Sequence, residues 1–182
     1  RQAQNYVRAR AVPGAQLVGD VRFEAMAPYM RGEKPVFFRA DTYKEILQSL
    51  RFAEAFGLKP VIVGGGEAWK SAKLLAEKKV PVIVTSVFGE PIGKYDRFDV
   101  FYTNCARREK AGVLFSIASD GTQFARQLPV HAGYAVAYGL SPEAALRAIT
   151  INAAKILRVD AKSGSLEAGK IADVIITTGD PL

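Results

Sequence analysis

Four residues close the apolar runs of this chain: Arg39, Gly64, Ser86 and Asp120. In a parallel α/β fold these are the positions at which chemistry is done, because reacting groups gather at the C-terminal ends of the strands. Asp120 is the one carboxylate among them. It could take a proton or ligate a cation, or, standing before Gly121, it could simply cap the next helix. Arg39 is a permanent cation that can neither lose its proton nor bind a metal. Opposite charges at one strand-end mouth predict an Arg39–Asp120 ion pair.

The run Gly64-Gly65-Gly66 could present backbone N–H groups to an anion, as an anion-binding α/β domain would. It lacks the spaced Gly-x-Gly-x-x-Gly pattern and the Gly-Lys-Ser/Thr of a P-loop, so it reads mainly as room for a close loop. His131 is the only histidine, which rules out a two-histidine metal site within these residues. Early in a helical stretch after Pro129, it reads as structural or solvent-exposed. Cys105 is the only cysteine; it excludes an intrachain disulfide and reads as a small packing residue. Glu67 and Lys70 read as helix-start charge and surface, and Trp69, Tyr134 and Tyr138 as packing.

The elements that must position these residues are legible. Pro35–Phe38, Pro60–Val63, Pro81–Val84 and Gly112–Ile117 are short β-branched or aromatic runs, each followed by a helical pattern. Continuous apolar strands of this kind are buried on both faces, as in a parallel sheet covered by helices. Tyr43, Ile46, Leu47, Leu50, Ala53 and Phe56 fall at helical spacing, and Gly57 closes that helix. A shorter helix is expected around Trp69–Ala76, with further ones over 1–10, 98–111, 122–138 and 141–157; Gly133 weakens the one at 122–138. The pattern is α/β. Four such units are half of an eight-unit barrel or a small doubly wound sheet, and the pattern alone leaves both open.

Near the chain's end, Ser163-Gly164-Ser165-Leu166-Glu167-Ala168-Gly169-Lys170-Ile171-Ala172-Asp173 leads into Val174-Ile175-Ile176, which reads as a strand, and stops at Gly179-Asp180-Pro181-Leu182. With the upstream helix Ser141–Leu157, this string resembles the C-terminal end of the amidohydrolase superfamily, in the imidazolonepropionase-like branch. The resemblance implies a (β/α)8 TIM-type barrel flanked by a small β-sandwich. Residues 1–160 would then be the last four barrel strands with their helices, and residues 161–182 the returning β-segment of the sandwich.

Family members that hydrolyse carbon–nitrogen bonds use a His on the fifth strand, a His on the sixth and an Asp on the eighth. Here Phe38-Arg39-Ala40-Asp41 stands at the first position, Gly64-Gly65-Gly66-Glu67 at the second, and Ser119-Asp120-Gly121 at the third. The resemblance therefore assigns Asp120 as the catalytic and metal-ligating carboxylate, with Arg39 and Gly64 at substituted ligand positions and Glu67, Ser119 and Gly121 around the pocket. No metal is expected on these residues alone; a divalent ion such as zinc would need histidines from an N-terminal half. The activity implied is metal-dependent hydrolysis of carbon–nitrogen, non-peptide bonds such as those of cyclic amides, with an altered site. The alternative is a catalytically silent barrel kept as a binding or assembly module. Expected partners are a small-molecule substrate, the N-terminal half, and further copies of the chain. The loop from Thr85 to Tyr95 is the one insertion that would shape a pocket.

Composition narrows the rest. An apolar content of 49% over 182 residues suits one domain with a sizeable core and excludes disorder. The formal charge is +7, but the charges are dispersed. The densest group, Arg107, Arg108 and Lys110, is interrupted by Glu109 and reads as a solvated helix face, not a nucleic-acid surface. No apolar stretch approaches the roughly 20 residues of a membrane span, no signal peptide is visible in the first ten residues, and no compartment is assigned.

Overall fold

A computed structural model describes every residue except Ala15 and Leu17. Four strands form where β-branched and aromatic residues cluster: β1 (Pro35–Ala40), β2 (Lys59–Gly64), β3 (Val82–Val84) and β4 (Phe115–Ile117). They pair in the order β1-β2-β3-β4, all parallel. The expected α/β class and parallel sheet are therefore present. The register sets Ala40 beside Gly64, Gly64 beside Val84, and Val84 beside Ile117. One row of residues thus marks the C-terminal edge of the sheet, and the segments that follow all four strands spring from that edge.

Helices return the chain between strands. α3 (Tyr43–Phe56) starts at a capping box in which Thr42 and Glu45 satisfy each other's backbone donors, and it stops at Gly57, whose φ of +63° only glycine adopts without strain. It buries Ile46, Leu50 and Ala53 against the sheet layer, and a fully buried Ile contributes about 1.5–3 kcal/mol. A 3-10 turn at Ala68–Ser71 precedes α4 (Ala72–Glu77), and α5 (Val100–Lys110) connects β3 to β4. After β4 come a 3-10 turn (Thr122–Gln127), α6 (Leu128–Ala137), α7 (Pro142–Ala148) and α8 (Ile151–Leu157). Ile46, Ile62, Leu75, Val82, Val84, Cys105, Phe115 and Ala145 belong to one core. Upstream, α1 (Gln2–Arg10) and α2 (Val21–Met30) pack on each other, with the rings of Tyr6 and Phe23 5.5 Å apart.

Several local expectations are corrected. The single helix expected over 141–157 is two. Thr150 has φ −129° and ψ −101°, and its hydroxyl donates to Leu146 O at 2.6 Å, turning the chain between α7 and α8. The helix expected over 122–138 begins as a 3-10 turn and becomes regular only at Leu128, where Pro129 occupies the first turn and has no N–H to lose. Gly133 does not interrupt α6: a Cβ there would lie 3.0 Å from the Leu182 backbone, so the glycine makes room for Leu182. The strand expected at Val174–Ile176 does not form. Ile175 and Ile176 are 88% and 92% exposed, because no other described strand runs beside them to pair their backbone groups.

Candidate functional site at the strand ends

Arg39, on β1, and Asp120, three residues past β4, come from opposite edges of the sheet and meet. An Arg39 Nη2 to Asp120 Oδ1 distance of 3.6 Å makes the ion pair expected from the sequence. Their side chains are 70% and 49% exposed, so the pair is solvent-screened and worth at most about 1 kcal/mol. Its consequence is occupancy, since a guanidinium stands where a cation would need the carboxylate. Asp120 has φ +58°, a left-handed conformation that aspartate tolerates better than most residues. The Ser119 hydroxyl donates to Gly121 O at 3.2 Å and braces the turn behind it. Asp120 is not the N-cap of the following 3-10 turn; Gly121 is.

Gly64 is closed to any side chain. Its φ is +106°, and a Cβ built on it would stand 2.3 Å from Asp41 Oδ1 and 2.8 Å from Asp41 Cγ. Asp41 in turn accepts the Gly66 N–H at 3.3 Å. The other loop donors are also committed: Gly65 N–H goes to Ala40 O at 2.9 Å and Glu67 N–H to Asp41 O at 2.7 Å. The N–H groups of Gly65, Gly66 and Glu67 are thus already bonded within the protein, which counts against an anion cradle at these positions. From beneath, Asn104 Nδ2 reaches Gly65 O at 3.2 Å and Gly66 O at 2.9 Å, and Arg108 Nη2 also donates to Gly65 O.

Arg108 overturns the solvated-face reading at its own position, whereas Lys110 is exposed and Arg107 lies half-buried over the Trp69 ring. Arg108 is fully buried, with Nε and Nη1 finding no hydrogen-bond partner among the described residues, and burial pushes its pKa down. A charged group pays for such a position only where its bonds fix something, and here they fix the Gly65 carbonyl. Its neighbour Cys105 is buried as expected, its thiol pushed up by the same desolvation. Glu109 faces the other way, accepting from Ser141 N–H at 3.1 Å and from the Ser141 hydroxyl at 2.5 Å, and the Ser141 hydroxyl in turn accepts the first-turn N–H of Ala144 in α7.

Glu67 is not surface charge either. It is buried, accepts the Tyr43 N–H at the start of α3 at 2.7 Å, and pairs with Lys70 at 2.5 Å. Lys70 also reaches Asp96 at 3.1 Å, and Asp96 accepts the Gly93 N–H at 3.1 Å. One chain of polar contacts thus ties the segments after β1, β2 and β3. The insertion expected to shape a pocket lies over the end of β2: a Cβ on Gly66 would meet Ile92 Cδ1 at 3.1 Å and Phe101 Cζ at 3.0 Å. Ser86 is used locally, accepting the Phe88 N–H at 3.1 Å.

Nothing in this arrangement fits a divalent ion. Among the described residues no three His, Cys, Asp or Glu side chains cluster closely enough to hold one, Arg39 occupies the carboxylate, and Asp41 fills the space above Gly64. A cavity of about 390 Å³ between α1 and α2, lined by Tyr6, Arg10, Glu24 and Arg31 among others, takes no residue from the strand ends. Of the contributors absent from the sequence reading, Asp41 was the detectable one, two residues beyond Arg39. Asn104 and Arg108 carried only the signature of an ordinary polar helix.

A parallel α/β sheet with its polar residues gathered at one edge defines the general class, and comparison with known proteins defines the family. The model of the amidohydrolase family matches residues 43–182. An amidohydrolase structure from Thermotoga maritima superposes with a TM-score of 0.85 at 32% identity, covering 99% of this chain and 48% of that one. Imidazolonepropionase of Pseudomonas paraeruginosa is 43% identical over 68 residues, 35% of this chain and 17% of that enzyme, and that of Symbiobacterium thermophilum is 58% identical over 38 residues, 21% and 9% respectively. This chain belongs to the amidohydrolase family. It spans about half the length of the Thermotoga structure. No helix among the described residues is long and apolar enough to cross a membrane.

Proposed function

We propose that the chain is the C-terminal half of an amidohydrolase barrel whose parent activity is hydrolysis of carbon–nitrogen bonds other than peptide bonds, such as those of cyclic amides, with an altered metal site. This unit contributes one carboxylate, Asp120, and no imidazole. Family membership is the observation that carries the reaction class, and the Arg39–Asp120 pair at 3.6 Å, at positions that the family resemblance reserves for ligands, is what supports an altered site. The likeness to imidazolonepropionases over short stretches supports the same reaction class. Glu67, Ser119 and Gly121 shape the surroundings through backbone contacts, and the Thr85–Tyr95 insertion borders the mouth.

A second reading, a silent barrel retained for binding or assembly, is favoured by the closure of Gly64 against Asp41. Association with the N-terminal half of the barrel, or with further copies of the chain, belongs to both readings, because β1 and β4 each leave one edge of the sheet unpaired.

Elemental analysis of the purified full-length parent protein, in which an N-terminal half could supply histidines, beside its Asp120→Ala variant separates the two. Near-stoichiometric divalent metal that is lost in the variant supports the altered hydrolase, with turnover of cyclic amides as the confirming assay. No metal in either protein sinks the first reading and leaves the silent barrel.

A further inference from the structure

The only histidine of the chain has no part in the strand-end pair, yet it is placed to act on the insertion beside it. His131, in the first turns of α6, is 7% exposed, and its Nδ1 is buried without a hydrogen-bond partner among the described residues. Its ring stands edge-on to Phe88 at 4.8 Å and 80°. Phe88 belongs to the insertion after β3 and is held on its other sides by aromatic rings, Tyr134 at 4.7 Å and Tyr102 at 6.4 Å, with Tyr102 stacked on Tyr138 at 4.8 Å. The same insertion lies over Gly66 through Ile92 and is tied to Lys70 through Asp96. The aromatic cluster and the Lys70–Asp96 contact are thus two separate anchors of one segment.

We propose that His131 is a pH-sensitive anchor of the 85–99 segment between β3 and α5, which contains the Thr85–Tyr95 insertion: protonation of its imidazole releases Phe88 and loosens that segment over the strand-end mouth. A neutral imidazole tolerates this apolar seat at the cost of one unbonded nitrogen. A protonated one carries a full charge and a second donor, and its buried Nδ1 has no acceptor among the described residues. The ionisable groups near it are phenols, Tyr134 on its own helix and Tyr102 on α5, with Tyr138 behind them; Leu182 packs at Gly133, two residues along α6. Burial alone lowers the pKa of His131, with no neighbouring charge contributing. The sign follows: the packed form is fully populated above the ordinary value of 6.5 and is lost as pH falls below it. Phe88 is the aromatic ring packed on the imidazole, so it is the neighbour that hydration of the buried Nδ1 displaces. This holds whether or not the protein hydrolyses anything, since it concerns the insertion alone.

Hydrogen exchange of the purified protein at pH 7.5 and 5.5, corrected for the intrinsic pH dependence of exchange, tests this. Protection of the 85–99 amides should fall by roughly tenfold, the factor by which an open-state imidazole of ordinary pKa favours protonation at pH 5.5. His131→Phe keeps a ring against Phe88 and should abolish the difference while retaining the pH 7.5 protection. Because there is one histidine, its Cε1–H resonance reports the titration directly, without a variant. A midpoint at or above 6.5, unchanged protection of 85–99 in the wild type, loss confined to α6, or a difference that persists in His131→Phe would each overturn the proposal.

Discussion

Replacing Gly64 with alanine is the sharpest test of why the strand-end site looks as it does. The added Cβ would stand 2.3 Å from Asp41 Oδ1 on a backbone with φ +106°. A non-glycine residue held at such an angle costs about 1–3 kcal/mol. Asp41 must also swing away, giving up its bond to the Gly66 N–H, for about another 1 kcal/mol. Gly64→Ala should therefore destabilise by about 3 kcal/mol in urea unfolding, with an unchanged m-value. Asp41→Ala alone should cost about 1 kcal/mol. In the double variant the clash and the lost bond are no longer charged separately, so the two costs should fall short of additivity by about 1–2 kcal/mol. Additivity within about 0.5 kcal/mol would refute the argument that Asp41 is what closes the position. The functional corollary is that an imidazole at position 64 requires Asp41 to swing away or to be shortened.

Two further outcomes follow from burial. Arg108→Met should unfold within about 1 kcal/mol of the wild type, because relief of a desolvated guanidinium with two unpartnered nitrogens offsets the lost bond to Gly65 O; Arg108→Ala, which leaves a cavity, should cost about 3 kcal/mol, and equal losses would show that the carbonyl bond dominates. Glu109 is held below the usual carboxylate range by its bonds to Ser141, so its contribution is present above about pH 4.5 and is lost as pH falls through the lowered folded value. Glu109→Gln should cost about 1–2 kcal/mol at pH 7, with the gap to the wild type narrowing in acid unfolding curves below pH 4.5, and a gap independent of pH would contradict that origin.

The amino-acid sequence alone carried the α/β class, the four parallel strands and the four residues near their ends, because parallel strands are continuously apolar and each is followed by a returning helix; the expected burial on both faces fails at the edge strand β1, where Phe37 is 45% exposed. The sequence also carried the Arg39–Asp120 pairing, since strand-end positions share one mouth and opposite charges meet there. What it could not carry depended on contacts between residues far apart in the chain. Arg108 and Glu67 have the spacing of surface charge and became buried only because Gly65 O and the start of α3 lie within their reach. Val174–Ile176 has strand composition but lacks a neighbour to pair with, and one helical pattern became two helices at Thr150. The closure of Gly64 was likewise decided by Asp41 lying across it from the adjoining strand. Periodicity reports which side of an element faces the core; which groups meet there, and whether a glycine leaves space or merely fits beneath a neighbour, is set by tertiary packing.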